Sequence, residues 1–403
     1  MIPLLSGLMF GLVCGVISGL IPGIHSNTMA GIMAGLSPVL FPVIGAEGLV
    51  AALISMLIGH SFLDLIPSTF FGIPDSGTAL STLPAHALTL EGKGEEAVRL
   101  SALGCIYGII IGVPVAILAY VLLTPIQSYI DWVCGPLLIL IMGMVIIQEG
   151  SVLWALLIFA SSGLLGLFAF RFQYLVWNLN GESAVLMPLL TGLFGLSVLI
   201  VSSHTQVPRQ RYANLGLETK SILYASLSGT IAGLLVGWLP GLSTASATAV
   251  INARIKYDTN RRTYLVAAGA AACANVVVGL AAFYGIERTR NGVMVMISSL
   301  DPPSFPVLLL IVIIASGAAY LITLSMSSCA KWFSGLDGKM VNTLVAGFVI
   351  LLCGVICGPF GLFILVCATG IGLIPGFLNL SRVPCMGVVT LPVILYSLGL
   401  WGF

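Results

Sequence analysis

Long apolar runs, broken by Pro-Gly pairs and short polar clusters, cover nearly the whole chain. In the first half they lie near residues 4–21, 24–41, 48–63, 99–123, 132–148, 151–169 and 184–201. In the second half they lie near 221–239, 242–253, 263–284, 305–328, 341–357, 359–374 and 386–401. None alternates with a period of two, so the strands of a membrane barrel are excluded and each run predicts a helix. At roughly 20 residues per crossing, the apolar material supports about ten to twelve spans. Several runs are shorter than a bilayer and predict half-helices or the arms of hairpins.

Two interruptions match each other. Gly19-Leu20-Ile21-Pro22-Gly23 leads into Ile24-His25-Ser26-Asn27-Thr28, and Gly237-Trp238-Leu239-Pro240-Gly241 leads into Leu242-Ser243-Thr244-Ala245-Ser246. Proline deletes a backbone donor and glycine ends a helix, so each pair predicts a helix broken at membrane depth. Broken helices at corresponding places in two halves point to a transporter's binding site.

Composition narrows the class further. Hydrophobic residues make up 59% and charged residues 7% of the 403 positions, far below the charge a water-facing surface carries. Mean hydropathy is +1.13. The expected fold is therefore all-α and polytopic, in the cell membrane, with the lipid bilayer as solvent. A net charge of +1 gives no argument for nucleic acid. No cleavable signal is evident ahead of the first apolar run. The nine cysteines are scattered through helices without metal-ligand spacing, and read as small packing residues.

Basic residues suggest the topology. Arg209, Arg211 and Lys220 precede the second Pro-Gly unit, and Arg254, Lys256, Arg261 and Arg262 follow it. Both flanks of that unit are expected to be cytoplasmic. The flanks of the first unit, Met1 to Pro3 and Ser37 to Glu47, lack Lys and Arg and are expected outside. Opposite bias around equivalent segments predicts two inverted repeats of re-entrant or broken hairpins: residues 1–202, a basic cytoplasmic linker 203–220, and residues 221–403. Arg288 and Arg290 run against this bias.

Three clusters can carry chemistry. Pro22, Gly23, His25, Ser26, Asn27 and Thr28, with Pro240, Gly241, Ser243, Thr244 and Ser246, form the first. Helices restarting there present free amides and a dipole that favour an anion. A structural kink with hydroxyls bonded back to the helix is the plainer alternative. Asp64, Asp75, Ser76 and Thr78 form the second, ionisable and acceptor groups in apolar surroundings suited to a coupling cation. Its alternative is a wet interfacial turn. Asn275, in a small-residue helix, and Arg288, whose fork matches a carboxylate, form the third. A snorkelling interfacial cluster competes with it. A further Gly-Leu-Ile-Pro-Gly at Gly372 to Gly376 lacks the hydroxyl run and predicts the turn before the last span, anchored by Arg382. No Walker loop, nucleophile elbow or metal-ligand motif is present, so no enzymatic or ATP-driven activity, cofactor or metal is expected.

The two Pro-Gly hydroxyl segments, with the Gly/Pro-rich stretch Gly72 to Arg99, resemble the large permease subunit of the tripartite tricarboxylate transporter family. The resemblance implies symport of a small organic anion, a di- or tricarboxylate, driven by Na⁺ or H⁺. It also implies a small membrane subunit and an extracytoplasmic solute receptor as partners. A homodimer and a stand-alone short variant are further expectations. The rival reading is a translocase for a polyprenyl-phosphate lipid carrier, in which Arg288 carries more weight.

Overall fold

A computed structural model describes residues 2–21, 24, 26–71, 79–177, 185–201, 208–212, 214–239, 247, 251, 255, 259–289, 291–300, 302–328 and 338–400. Among them every regular element is helical. The first half contains α1 (Ile2–Leu20), α2 (Ser26–Gly35), α3 (Ser37–Leu63), α4 (Leu65–Phe71), α5 (Ala79–Leu90), α6 (Gly94–Leu123), α7 (Gln127–Gln148) and α8 (Val152–Arg171). It closes with α9 (Leu186–Leu190), a π-helical stretch Thr191–Leu196 and α10 (Ser197–Val201). The second half contains α11 (Thr219–Trp238), α12 (Arg261–Ile286), α13 (Gly292–Ser298), α14 (Phe305–Ser328), α15 (Gly338–Leu378) and α16 (Gly387–Ser397).

Among the described residues eight helices are long and apolar enough to cross a membrane, and three shorter apolar helices accompany them. The expectation of ten to twelve crossings takes roughly 20 residues for each, whereas Ser37–Phe70 uses 34 and Gly94–Val133 uses 40. Leu153, Ile147, Leu140, Leu321 and Val366 are among the many large apolar side chains left exposed. A chain with so few charges keeps such a surface stable only against lipid tails. The protein is a multi-pass membrane protein.

Two helices bend sharply at glycine. Gly45 in α3 has φ 66° and ψ 176°, and Gly358 in α15 has φ 68° and ψ −166°, conformations that L side chains rarely adopt. At Gly358 the chain folds back far enough for Leu362 to lie beside Gly354, while the Trp177 ring packs on the bend and its amide bonds the Cys357 carbonyl. The expected break at Pro375 is absent. The helix runs through it to Leu378, because Gly372 packs directly on the Leu193 backbone and Ser197 and holds that turn in place. The turn before the last span therefore comes at Asn379 to Arg382, a little later than the Gly-Leu-Ile-Pro-Gly motif indicates.

The core is made by helices touching backbone to backbone. Along α1, a Cβ on Gly7, Gly11 or Gly15 would fall 1.9, 2.0 and 2.7 Å from the carbonyl oxygens of Gly48, Ala52 and Met56 on α3. Along α6, Gly104 and Gly108 meet the carbonyls of Val266 and Ala270 on α12 in the same way, at 2.1 and 2.4 Å. In lipid there is no hydrophobic drive between helices, so such close approach supplies the dispersion contact that holds the bundle.

Candidate functional site

α1 ends at Leu20, Ile21 still bonding back to Ile17, and α2 restarts at Ser26. The helix is broken where Pro22 predicted it. Ser26 is buried at the N-terminus of α2. Asn27 and Thr28 lie in its first turn. Pro22, Gly23 and His25 lie outside the described residues. In the second half α11 ends at Trp238, Leu239 is extended (φ −80°, ψ 133°) and its amide bonds the Leu235 carbonyl. Pro240, Gly241, Ser243, Thr244 and Ser246 lie outside the described residues, as do Asp75, Ser76 and Thr78.

What backs each break is well defined. Gly15 faces the Met56 carbonyl, Gly59 and the His60 amide, and Gly19 faces the His60 carbonyl and Leu63. On the other side Gly233 faces the Ala271 carbonyl, Ala274 and the Asn275 amide, and Gly237 faces the Asn275 carbonyl and Val278. Each contact of the first set maps onto one of the second when α1 positions are raised by 218 and α3 positions by 215, so α1 meets α3 in the register in which α11 meets α12. His60 and Asn275 are thereby equivalent, each beside the last turn before a break. The imidazole Nδ1 of His60 lies 3.2 Å from the Ser18 hydroxyl, which itself donates to the Gly15 carbonyl at 3.3 Å. Ser55 ties the same two helices by donating to the Leu8 carbonyl at 3.0 Å.

Asp64 follows α3 one turn after His60 and is half-buried. On α6 the Cys105 thiol contacts Cys273 of α12, and both cysteines are fully buried. His86 on α5 donates through Nδ1 to the Thr69 carbonyl at 3.1 Å, beside a bond from Thr89 to the same oxygen. Burial pushes the His86 imidazole below its ordinary value, and the Thr69 bond opposes this. It is a packing residue.

Arg288 is engaged within the protein. Its Nη2 donates to Asp131 at 2.6 Å and its Nη1 to the Trp238 carbonyl at 3.3 Å, while the Trp238 indole donates to Gln127 at 2.9 Å. This group sits at the end of α11 and holds the lip of the second break. Glu287, left-handed at φ 51°, ends α12 and turns the chain so that Arg288 reaches Asp131.

Two features had no place in the sequence reading. The first is the ladder of glycines at every fourth position before each break, visible in the sequence as Gly7, Gly11, Gly15 and Gly19, and as Gly229, Gly233 and Gly237. The second is a clasp at the start of α6 and α12. Arg262 holds Glu96 through Nε and Nη2 at 2.6 and 3.0 Å, and the Gly216 amide completes the buried carboxylate at 3.0 Å. Alongside, Arg261 pairs with Glu91 at 2.7 Å, and Gln210 accepts from the Gly94 amide at 2.8 Å. Of the basic residues that suggested the topology, Arg261 and Arg262 thus tie the start of α12 to Glu91 and Glu96, and Glu96 in turn accepts from Gly216.

A polytopic helical bundle whose helices are interrupted at polar sequences has the build of a membrane transporter component. The chain belongs to the tripartite tricarboxylate transporter TctA family, whose model matches residues 5–387. Among its relatives, the uncharacterized protein MJ1079 of Methanocaldococcus jannaschii is 28% identical over 367 residues, covering 88% of this chain and 90% of the relative. No solved structure matches it.

Proposed function

We propose that this protein is the permease of an ion-coupled symporter for an organic anion, a di- or tricarboxylate, with its site between two broken helices related as an inverted repeat. The observation that carries the reading is the repeated register of α1 on α3 and α11 on α12, which brings a polar residue, His60 or Asn275, to each break. Antiparallel placement of the two pairs is supported by contacts at their ends. Phe70, just beyond α3, packs on Gly94 at the start of α6, and α6 runs alongside α12 in the same direction, so α3 heads toward the end from which α12 departs. Hairpin geometry is supported as well, since Gly48 lies on the Pro3 carbonyl and Gly216 on the Arg262 side chain. The chain therefore comes back, after each break, to the end where its helix began.

In this reading helix starts meet from opposite leaflets, an arrangement that favours a substrate carrying carboxylates at both ends. Ser26, Asn27, Thr28, Ser243, Thr244 and Ser246 are assigned to that anion, and Asp64 and Asp75 to the coupling Na⁺ or H⁺. The small membrane subunit and solute receptor enter as partners through the tripartite character of the family. The lipid-carrier alternative leaned on Arg288, whose charge Asp131 already meets, and the family match lends it nothing.

The test is uptake of labelled citrate and succinate by proteoliposomes, with Na⁺ or proton gradients imposed separately. Alanine at Ser26, Asn27 and Thr244 is expected to reduce gradient-driven uptake at least about tenfold, the cost of removing one or more charge-assisted hydrogen bonds to a bound anion. Intact uptake in all three variants rejects the site.

A further inference from the structure

The turn between α15 and α16 holds a guanidinium with nothing to bind. Arg382 Nε and Nη2 are both fully buried and neither has a hydrogen-bond partner among the described residues. Burial pushes the group below its ordinary value, with partial opposition from Cys385. These two nitrogens form one edge of the side chain, and their N–H bonds run nearly parallel. The same edge of Arg262 grips both oxygens of Glu96 elsewhere in this molecule. The Arg382 edge meets no such carboxylate. Its neighbour Glu149 is occupied by Ser381, through the amide at 3.1 Å and through the hydroxyl. The carbonyls ending α15 do not serve it either, and Pro375 accepts instead from the Leu380 amide at 3.0 Å. Around Nη2 the packing is close, with a Cβ at Gly376 falling 3.3 Å from it and 3.2 Å from a Val201 methyl. Glycine at 376 lets the chain pack this close to Nη2, where a Cβ would be tighter than ordinary contact.

A buried charge with two unmet donors is costly and is retained where something else supplies the acceptors. We propose that Arg382, framed by Gly376 and Val201, is a binding site for an oxyanion from outside the chain, a phosphate or carboxylate held by two parallel bonds. The site lies where α7 turns into α8 and α15 into α16.

The test is thermal unfolding of the purified full chain in neutral detergent, with four additions made separately: phosphatidylglycerol, the phosphate-free lipid monogalactosyldiacylglycerol, citrate and inorganic phosphate. An anion that occupies the site raises the Tm of the unmodified protein. R382Q is expected to lose that rise, and R382K to keep only a fraction, being a point charge without the fork. A rise with phosphatidylglycerol alone assigns a lipid headgroup, and a rise with citrate or phosphate assigns a soluble anion. The proposal is overturned if none of the three anions raises Tm more than the galactolipid does. It is equally overturned if R382Q, or R382K where R382Q does not fold, keeps the full rise.

Discussion

The two break-bearing helix pairs share a register and differ in chemistry. Behind the first break stands an imidazole bonded to Ser18, with Asp64 one turn on. Behind the second stands the amide of Asn275, and the end of α11 is tied by Arg288 to Asp131. The glycine contacts that bring α1 to α3 and α11 to α12 are conserved between the halves almost atom for atom. Packing is thus the repeated part, and the polar groups are where the halves have diverged. One half carries groups able to exchange a proton or ligate a cation, and the other carries a neutral amide and a rigid lip.

The comparison breaks most severely at the ladders. Gly11→Val and Gly229→Val each force a side chain against a carbonyl that a Cβ would already approach to 2.0 or 2.1 Å. Both should abolish folded, monodisperse protein in fluorescence-detected size-exclusion chromatography, a penalty of about 3 kcal/mol or more. A single tolerated variant would mean that the halves are not packed alike. Next comes the clasp: Glu96→Ala leaves Arg262 without its carboxylate and the Gly216 amide without its acceptor. Because Glu96 is buried and Arg262 one-third exposed, a loss of about 2–4 kcal/mol is expected, read as a lowered Tm.

His60→Asn copies the second half into the first. It should leave folded yield intact, since an amide fits at Asn275 in the equivalent place, while gradient-driven uptake falls several-fold. Unchanged uptake would show that the imidazole contributes packing alone. The smallest effect belongs to Arg288→Gln and Asp131→Asn. With Asp131 half exposed, the pair contributes about 0–1 kcal/mol, and both variants should lower uptake to a similar, modest extent. A raised KM in Arg288→Gln with none in Asp131→Asn would instead make the guanidinium a substrate ligand.

The same pentapeptide shows where local sequence stops being informative. Gly-Leu-Ile-Pro-Gly ends a helix at Leu20 and fails to end one at Pro375. A proline removes one bond and clashes with one carbonyl in either place. At Gly372 the neighbouring helix presses on the turn and keeps it helical. Gly45 and Gly358 add to the point, because each takes a positive φ inside a helix, Gly45 three residues after Pro42 and Gly358 directly before Pro359.

From the chain alone came the helical membrane class, the family, the place of the first break and the end of α11, because hydropathy and proline act through nearest neighbours. The pairing of Glu96 with Arg262, of Asp131 with Arg288 and of Ser18 with His60 came only with the folded bundle. Partners far apart along the chain leave no local trace, and in a bilayer it is the close approach of whole helices that decides which polar groups meet.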